Sequence, residues 1–194
     1  MRINATHSLD ERGLDPYWTP PEATRALLAV ENVPKNVWEP ACGAGNIAEV
    51  LRGAGHDVLA SDIKDYGYPG THVEDFLASS CSEANAIVTN PPYRLAEAFA
   101  KHAIAEVSYV AFLLRLNFLE STRRLAFFRE YPPSRVWVSS RRLPMMHRLG
   151  WTGPEAPSNH CFAWFIWSNW TKKQHQSEIR WFDWKDYSAG VPGR

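Results

Sequence analysis

The chain has 194 residues, 21 Lys and Arg against 21 Asp and Glu, and 45% hydrophobic side chains, enough for one domain (1–194) with a substantial core. A formal charge of zero excludes a polycation that coats nucleic acid indiscriminately, and the longest apolar run, Cys161 to Trp167, is far short of the roughly 20 residues that a membrane-spanning helix needs. The charge is uneven, however: residues 1–90 carry 6 Lys and Arg against 13 Asp and Glu, and residues 91–194 carry 15 against 8, which permits a nucleic-acid face on the C-terminal half.

Met1 to Gly13 lacks the apolar centre of a secretory signal. Cys42, Cys81 and Cys161 are odd in number and widely spaced, so neither a disulfide framework nor a zinc ribbon is expected. His160 beside Cys161 has no second ligand pair to complete a metal site. A reduced, soluble, cytoplasmic protein without metal or membrane attachment is expected. In chain order, Thr19-Pro20-Pro21-Glu22 reads as a helix start with Thr19 as cap, and Ala26, Leu27 and Val30 give that helix a buried face. Asn36 to Ala41 then runs as a strand into Cys42-Gly43-Ala44-Gly45, with a helix resuming at Ile47. Further strands are predicted at Asp57 to Ile63, Ala86 to Thr89, Tyr109 to Leu114, Arg135 to Ser139 and Phe162 to Trp167, with helices at Leu95 to Val107 and Ser121 to Glu130. Such alternation gives an α/β fold, a mostly parallel sheet with helices on both faces.

In such a sheet ligands lie beyond the carboxyl ends of the strands, so the glycine loop, Asp62 and Asn90 converge on one rim. Gly43 and Gly45 let the backbone turn tightly beside a ligand, and Asp62, 17 residues after Gly45, ends the next strand where a ribose presents its hydroxyls. Asp75 can accept from an adenine amino group while Phe76 packs on the ring; a plain surface turn is the competing reading. Two consecutive prolines after Thr89 force the backbone out of the sheet on a rigid path. There the Asn90 side-chain oxygen and the Pro91 carbonyl can accept the two hydrogens of an amine, with Tyr93 offering a flat face to a planar base. Residues 141–160, rich in proline and glycine, form an irregular substrate-side loop. The basic section from Arg135 to Gly150, with Arg141, Arg142 and Arg148, can contact phosphates; a solvated loop is the alternative. The tryptophans of the apolar strands read as core, and Trp151, in the loop, reads as a stacking residue.

Together these segments resemble the class I methyltransferases, in particular the amino-methyltransferases that include DNA N6-adenine enzymes. Glu39-Pro40-Ala41-Cys42-Gly43-Ala44-Gly45 is similar to their cofactor loop, Asp62-Ile63 to the ribose-binding acid and its neighbour, Asp75-Phe76 to the adenine contact, and Asn90-Pro91-Pro92-Tyr93 to the catalytic tetrapeptide. Tyr17-Trp18-Thr19-Pro20 resembles the segment that touches the methionine end, and the motif order is that of the gamma arrangement. The resemblance implies S-adenosylmethionine as cofactor, a Rossmann-like seven-stranded sheet with its last strand antiparallel, Phe162 to Trp167 being the candidate, and methylation of an exocyclic amine, first of all N6 of adenine in DNA. An RNA base or a protein glutamine is the alternative substrate, and a noncatalytic binding subunit of the same fold the alternative role. Gamma enzymes carry a large target-recognition domain that has no counterpart after Tyr93, so a partner or a second copy is expected for target recognition.

Overall fold

The computed structural model describes residues 18–145, 159–168 and 176–188. Eight strands form one sheet: β1 (Asn36–Glu39), β2 (Asp57–Asp62), β3 (His72–Val73), β4 (Ala86–Thr89), β5 (Tyr109–Arg115), β6 (Arg135–Ser139), β7 (Phe162–Ser168) and β8 (Glu178–Phe182), in the order β3-β2-β1-β4-β5-β7-β6-β8. Strands β1, β2, β3, β4 and β5 pair in parallel, β7 is antiparallel to β5 and β6, and β8 returns parallel to β6. The expected antiparallel strand is therefore present at Phe162 to Trp167, but the sheet has eight strands and the antiparallel one is not the last. The two strands not predicted by residue range, β3 and β8, carry little signal: β3 is two residues long, and four of the five residues of β8 are exposed.

The helices are α1 (Pro21–Val30), α2 (Asn46–Gly53), α3 (Ala96–Glu106) and α4 (Leu125–Glu130). Strand side chains alternate between faces, and two cores follow from that period. Val37, Val88, Ala111, Leu113, Trp164 and Ile166 pack with Ala26, Leu27, Ile47 and Leu51 of α1 and α2. Their neighbours Trp38, Ile87, Val110, Phe112, Phe165 and Trp167 pack on the opposite side with Phe99 and Ala103 of α3 and Phe127 of α4. Two tryptophans also bond as they fill the core: Trp164 Nε1 donates to the Ala23 carbonyl at 2.9 Å and Trp38 Nε1 to Ser61 Oγ at 2.8 Å. Trp181, by contrast, is 65% exposed on β8.

Strand order reverses between β1 and β4: from β1 the chain proceeds outward to β2 and β3, and from β4 outward the other way to β5. Two successive connections leaving in opposite directions open a crevice at the carboxyl ends of β1 and β4. Among the described residues no helix is long and apolar enough to cross a membrane.

Candidate active site

The loop leaving β1 is held by its neighbour β2. The Cys42 amide donates to the Ser61 carbonyl at 3.0 Å and the Gly43 amide to Asp62 Oδ2 at 2.8 Å, tying the loop to the end of β2. Gly43 (φ 53) and Gly45 (φ 81) both lie in the left-handed region that favours glycine. Their surroundings differ: a Cβ on Gly43 would meet open space, whereas one on Gly45 would overlap the Tyr68 ring. Gly45 is thus required for packing and Gly43 leaves room for a ligand. Tyr68 was not anticipated from the sequence. Its hydroxyl donates to Glu49 at 2.7 Å and accepts from Arg52, and burial pushes that phenol up to about 12.

Glu39 ends β1 beneath this loop, 1% exposed. Burial raises its carboxyl well above the ordinary 4.5; the Ala48 amide and Arg52 oppose the shift and Asp62 adds to it. Its Oε2 is buried without a hydrogen-bond partner among the described residues. Asp62, 8% exposed, is likewise raised by burial, against which the Gly43 and Lys64 amides hold its charged form. Cys42 is pushed up to about 11, again chiefly by burial, so it is a protonated packing residue rather than a nucleophile. Ile63, 61% exposed, and Val73, 62% exposed and in register with Asp62, put an open apolar surface beside that acid. Asp75 caps the 3-10 turn Phe76–Ala78 by accepting from the Leu77 amide at 3.0 Å. The Phe76 ring, expected to lie on a ligand, is 2% exposed with ring centroids 5.0 Å from Trp38 and 4.7 Å from Phe99 and His102. It is a core residue that steadies the Asp75 turn from behind.

Across the crevice, Asn90 follows β4. Its Nδ2 donates to Thr19 Oγ1 at 3.2 Å, and Thr19 is 3% exposed. Thr19 therefore does not cap α1, whose cap position is Pro20 with no side-chain bond; two prolines pre-set the first turn instead. The Pro92 carbonyl accepts from the Leu95 amide at 2.8 Å, closing a turn that fixes the preceding peptide. Tyr93 is half-buried, its ring centroid 6.2 Å from that of Phe162 and capped by the Arg115 guanidinium at 4.5 Å. Arg115 too went unforeseen, although a cation ending an apolar parallel strand falls on the ligand rim by topology alone. Trp18 stands ahead of Thr19, with its Nε1 buried and unpartnered among the described residues.

Of the basic section, Arg141 is held by Asp183 in a two-pronged pair at 2.8–3.1 Å, which neutralises it. Arg142 donates to the Asn159 carbonyl at 3.0 Å and is exposed on the same rim. Arg135 begins β6 at the opposite end of the sheet, bound to Glu31, and is not on the substrate side. Arg148 and Trp151 lie outside the described residues. No group of three or more potential metal ligands occurs among the described residues.

No protein-family model matches the chain, and no curated protein matches it in sequence. Solved structures do match its fold. It is similar to a protein described as an RNA methyltransferase from Pyrococcus horikoshii, with a TM-score of 0.62 and 13% identity over 80% of this chain and 88% of that one. A type I restriction-modification methyltransferase subunit from Streptococcus thermophilus gives a TM-score of 0.62 at 12% identity, over 91% of this chain and 49% of the other, so the chain spans about half of that subunit's length. The 23S rRNA methyltransferase ErmE gives 0.55 at 12% identity, over 82% and 73%. The chain has a Rossmann-like methyltransferase fold.

Proposed function

We propose that this protein binds S-adenosylmethionine and methylates an exocyclic amine, with N6 of adenine in DNA as the first candidate. The observation that carries the reading is the juxtaposition, at the β1/β4 reversal, of an open glycine loop braced by Asp62 with an Asn-Pro-Pro-Tyr turn braced by Thr19. The cofactor fits the residues present. Glu39 Oε2, buried and unpartnered among the described residues, is an acceptor of the kind that an ammonium group satisfies. Gly43 leaves open space, Asp62 retains acceptor capacity beyond its two amide bonds for ribose hydroxyls, and Ile63 offers an apolar surface to a purine. Trp18, Pro40, Ala41 and Asp75 complete the proposed contacts.

S-adenosylmethionine supplies a methyl group already activated on a sulfonium. The protein's work is then orientation and the exclusion of water. With Nδ2 committed to Thr19, the acceptor end of the Asn90 amide is fixed, and it shares the two amine hydrogens with the Pro91 carbonyl. Tyr93 holds the ring of the target. No general base is needed at the nitrogen, whose proton passes to water.

The test is incubation with methyl-labelled cofactor and unmethylated double-stranded DNA, followed by digestion to nucleosides. Labelled N6-methyladenine supports the full reading. Label appearing only in RNA or on a peptide glutamine moves the substrate and keeps the reaction. Absence of cofactor binding overturns the reading in favour of a noncatalytic subunit. Asn90→Ala is expected to abolish transfer while cofactor affinity stays within about twofold.

A further inference from the structure

The Arg115 guanidinium lies over the Tyr93 ring, 4.5 Å from its centroid, and this is the ring on which the proposed function stacks a planar target. We propose that Arg115 keeps that stacking face covered until a target arrives and, once displaced, binds the phosphate beside the extruded base. The inference rests on the methyltransferase reading for the target's location, and names a phosphodiester as what the site recognises beyond the base itself.

Three observations converge on it. Arg115 is the last residue of β5, the strand next to β4, so it stands on the same carboxyl rim as Asn90 and Tyr93. It pairs in register with Phe162, whose ring is the other aromatic neighbour of Tyr93, so Tyr93 is bordered by a cation and by an apolar ring. Arg94, next in the chain after Tyr93, is exposed and makes no ion pair with another described residue, and Arg142 is exposed on the same rim. The nearby acid Glu97 is bound to Lys101 at 2.9 Å. A guanidinium is planar, stacks on an aromatic face and matches a phosphate with two parallel N–H donors, so one side chain can serve both states. The guanidinium is half-buried, with its Nε out of solvent, where a cation–π contact reaches about 2 kcal/mol; base stacking contributes about 1–3 kcal/mol, so a base joined by its phosphate can take the cation's place.

The experiment compares the wild-type chain with Arg115→Ala and Arg115→Lys, using a fluorescein-labelled single-stranded oligodeoxynucleotide of mixed adenine and cytosine, titrated from 50 to 200 mM salt. Arg115→Ala is expected to weaken binding about fivefold at the lowest salt and to reduce the slope of log affinity against log salt by about 1. Arg115→Lys keeps the charge and is expected to restore the slope. A second readout follows the Arg115 Nε–H resonance, identified by its loss in both variants and displaced by the Tyr93 ring current; it should move as oligonucleotide is added and stay in place with S-adenosylmethionine alone. An unchanged salt slope in Arg115→Ala, a resonance indifferent to saturating oligonucleotide, or a wild-type chain that fails to bind the oligonucleotide at 50 mM salt would overturn the proposal. Cofactor binding, measured separately by calorimetry, decides the methyltransferase reading on its own, so either can fail without the other.

Discussion

Thr19 bonds the residue that the proposed chemistry depends on most, across 71 positions of sequence. Without its hydroxyl the Asn90 amide can turn over, presenting a donor where an acceptor is required. Thr19→Val preserves shape and removes only that bond, whose buried loss is of order 1–2 kcal/mol. Methyl transfer is then expected to fall about tenfold in kcat, with Tm lowered by about 2–8 °C; single-turnover kinetics well below the melt check it, and undiminished transfer would leave Thr19 a packing residue. The Asn90 turn itself was legible because consecutive prolines after an apolar strand have few structural uses. Thr19's partner was not, since a threonine before two prolines reads as a helix cap until the fold shows what lies opposite. Arg115 was hidden by the same locality.

At the scale of elements, the distal end of the sheet is closed by one carboxylate. Glu31, just past α1, accepts from Arg135 Nε at 2.6 Å and Nη2 at 2.8 Å, from Trp137 Nε1 at 2.7 Å and from the Tyr109 hydroxyl at 3.5 Å. One side chain thereby joins a helix to the starts of β5 and β6. The Glu31 side chain is 5% exposed and that of Arg135 is 23% exposed. Removing one partner of such a pair strands the other, at a cost of about 3–5 kcal/mol. Glu31→Ala is therefore expected to lower Tm by roughly 6–20 °C at about 2–4 °C per kcal/mol for a chain of this size. Cofactor affinity should be unchanged in the surviving native protein, because the clamp lies at the end of the strands away from the glycine loop; a variant that melts like wild type would show the clamp to be dispensable. Sequence placed Arg135 with the substrate-side arginines, because a basic run reads as a surface and its partner lies 104 positions away. The long buried strands were legible from unbroken apolar runs such as Tyr109 to Leu114. Edge strands, with little to bury, were not.

For the whole molecule, the acidic N-terminal half builds the proposed cofactor side and the basic half builds the far side, and the acids nearest the site bear on stability. Glu39 and Asp62 both have their carboxyls raised by burial, so over the window from their ordinary values of 4.5 and 3.8 up to their native values the folded chain binds more protons than the unfolded one. Stability then decreases as pH rises through that window and is greatest where both groups are protonated. Asp183, lowered by its bond to Arg141, has the opposite sign, but it acts below 3.8 and outside the window. Glu39→Gln removes the buried charge while keeping the shape. Its Tm is expected to exceed that of wild type at high pH, where the native Glu39 carboxyl is ionised, and to approach it as pH falls toward the ordinary 4.5. Cofactor should reverse the ranking. A ligand at 100 times its Kd stabilises by about 2.7 kcal/mol, and an ammonium that satisfies Glu39 Oε2 contributes to that affinity only in the wild-type chain. Thermal melts of both proteins at pH 5 and 8, with and without S-adenosylmethionine, measure the two effects together: an equal thermal shift in both would remove Glu39 from the cofactor site, and a wild-type Tm that climbs from pH 5 to 8 in parallel with the variant would show that another group governs the titration.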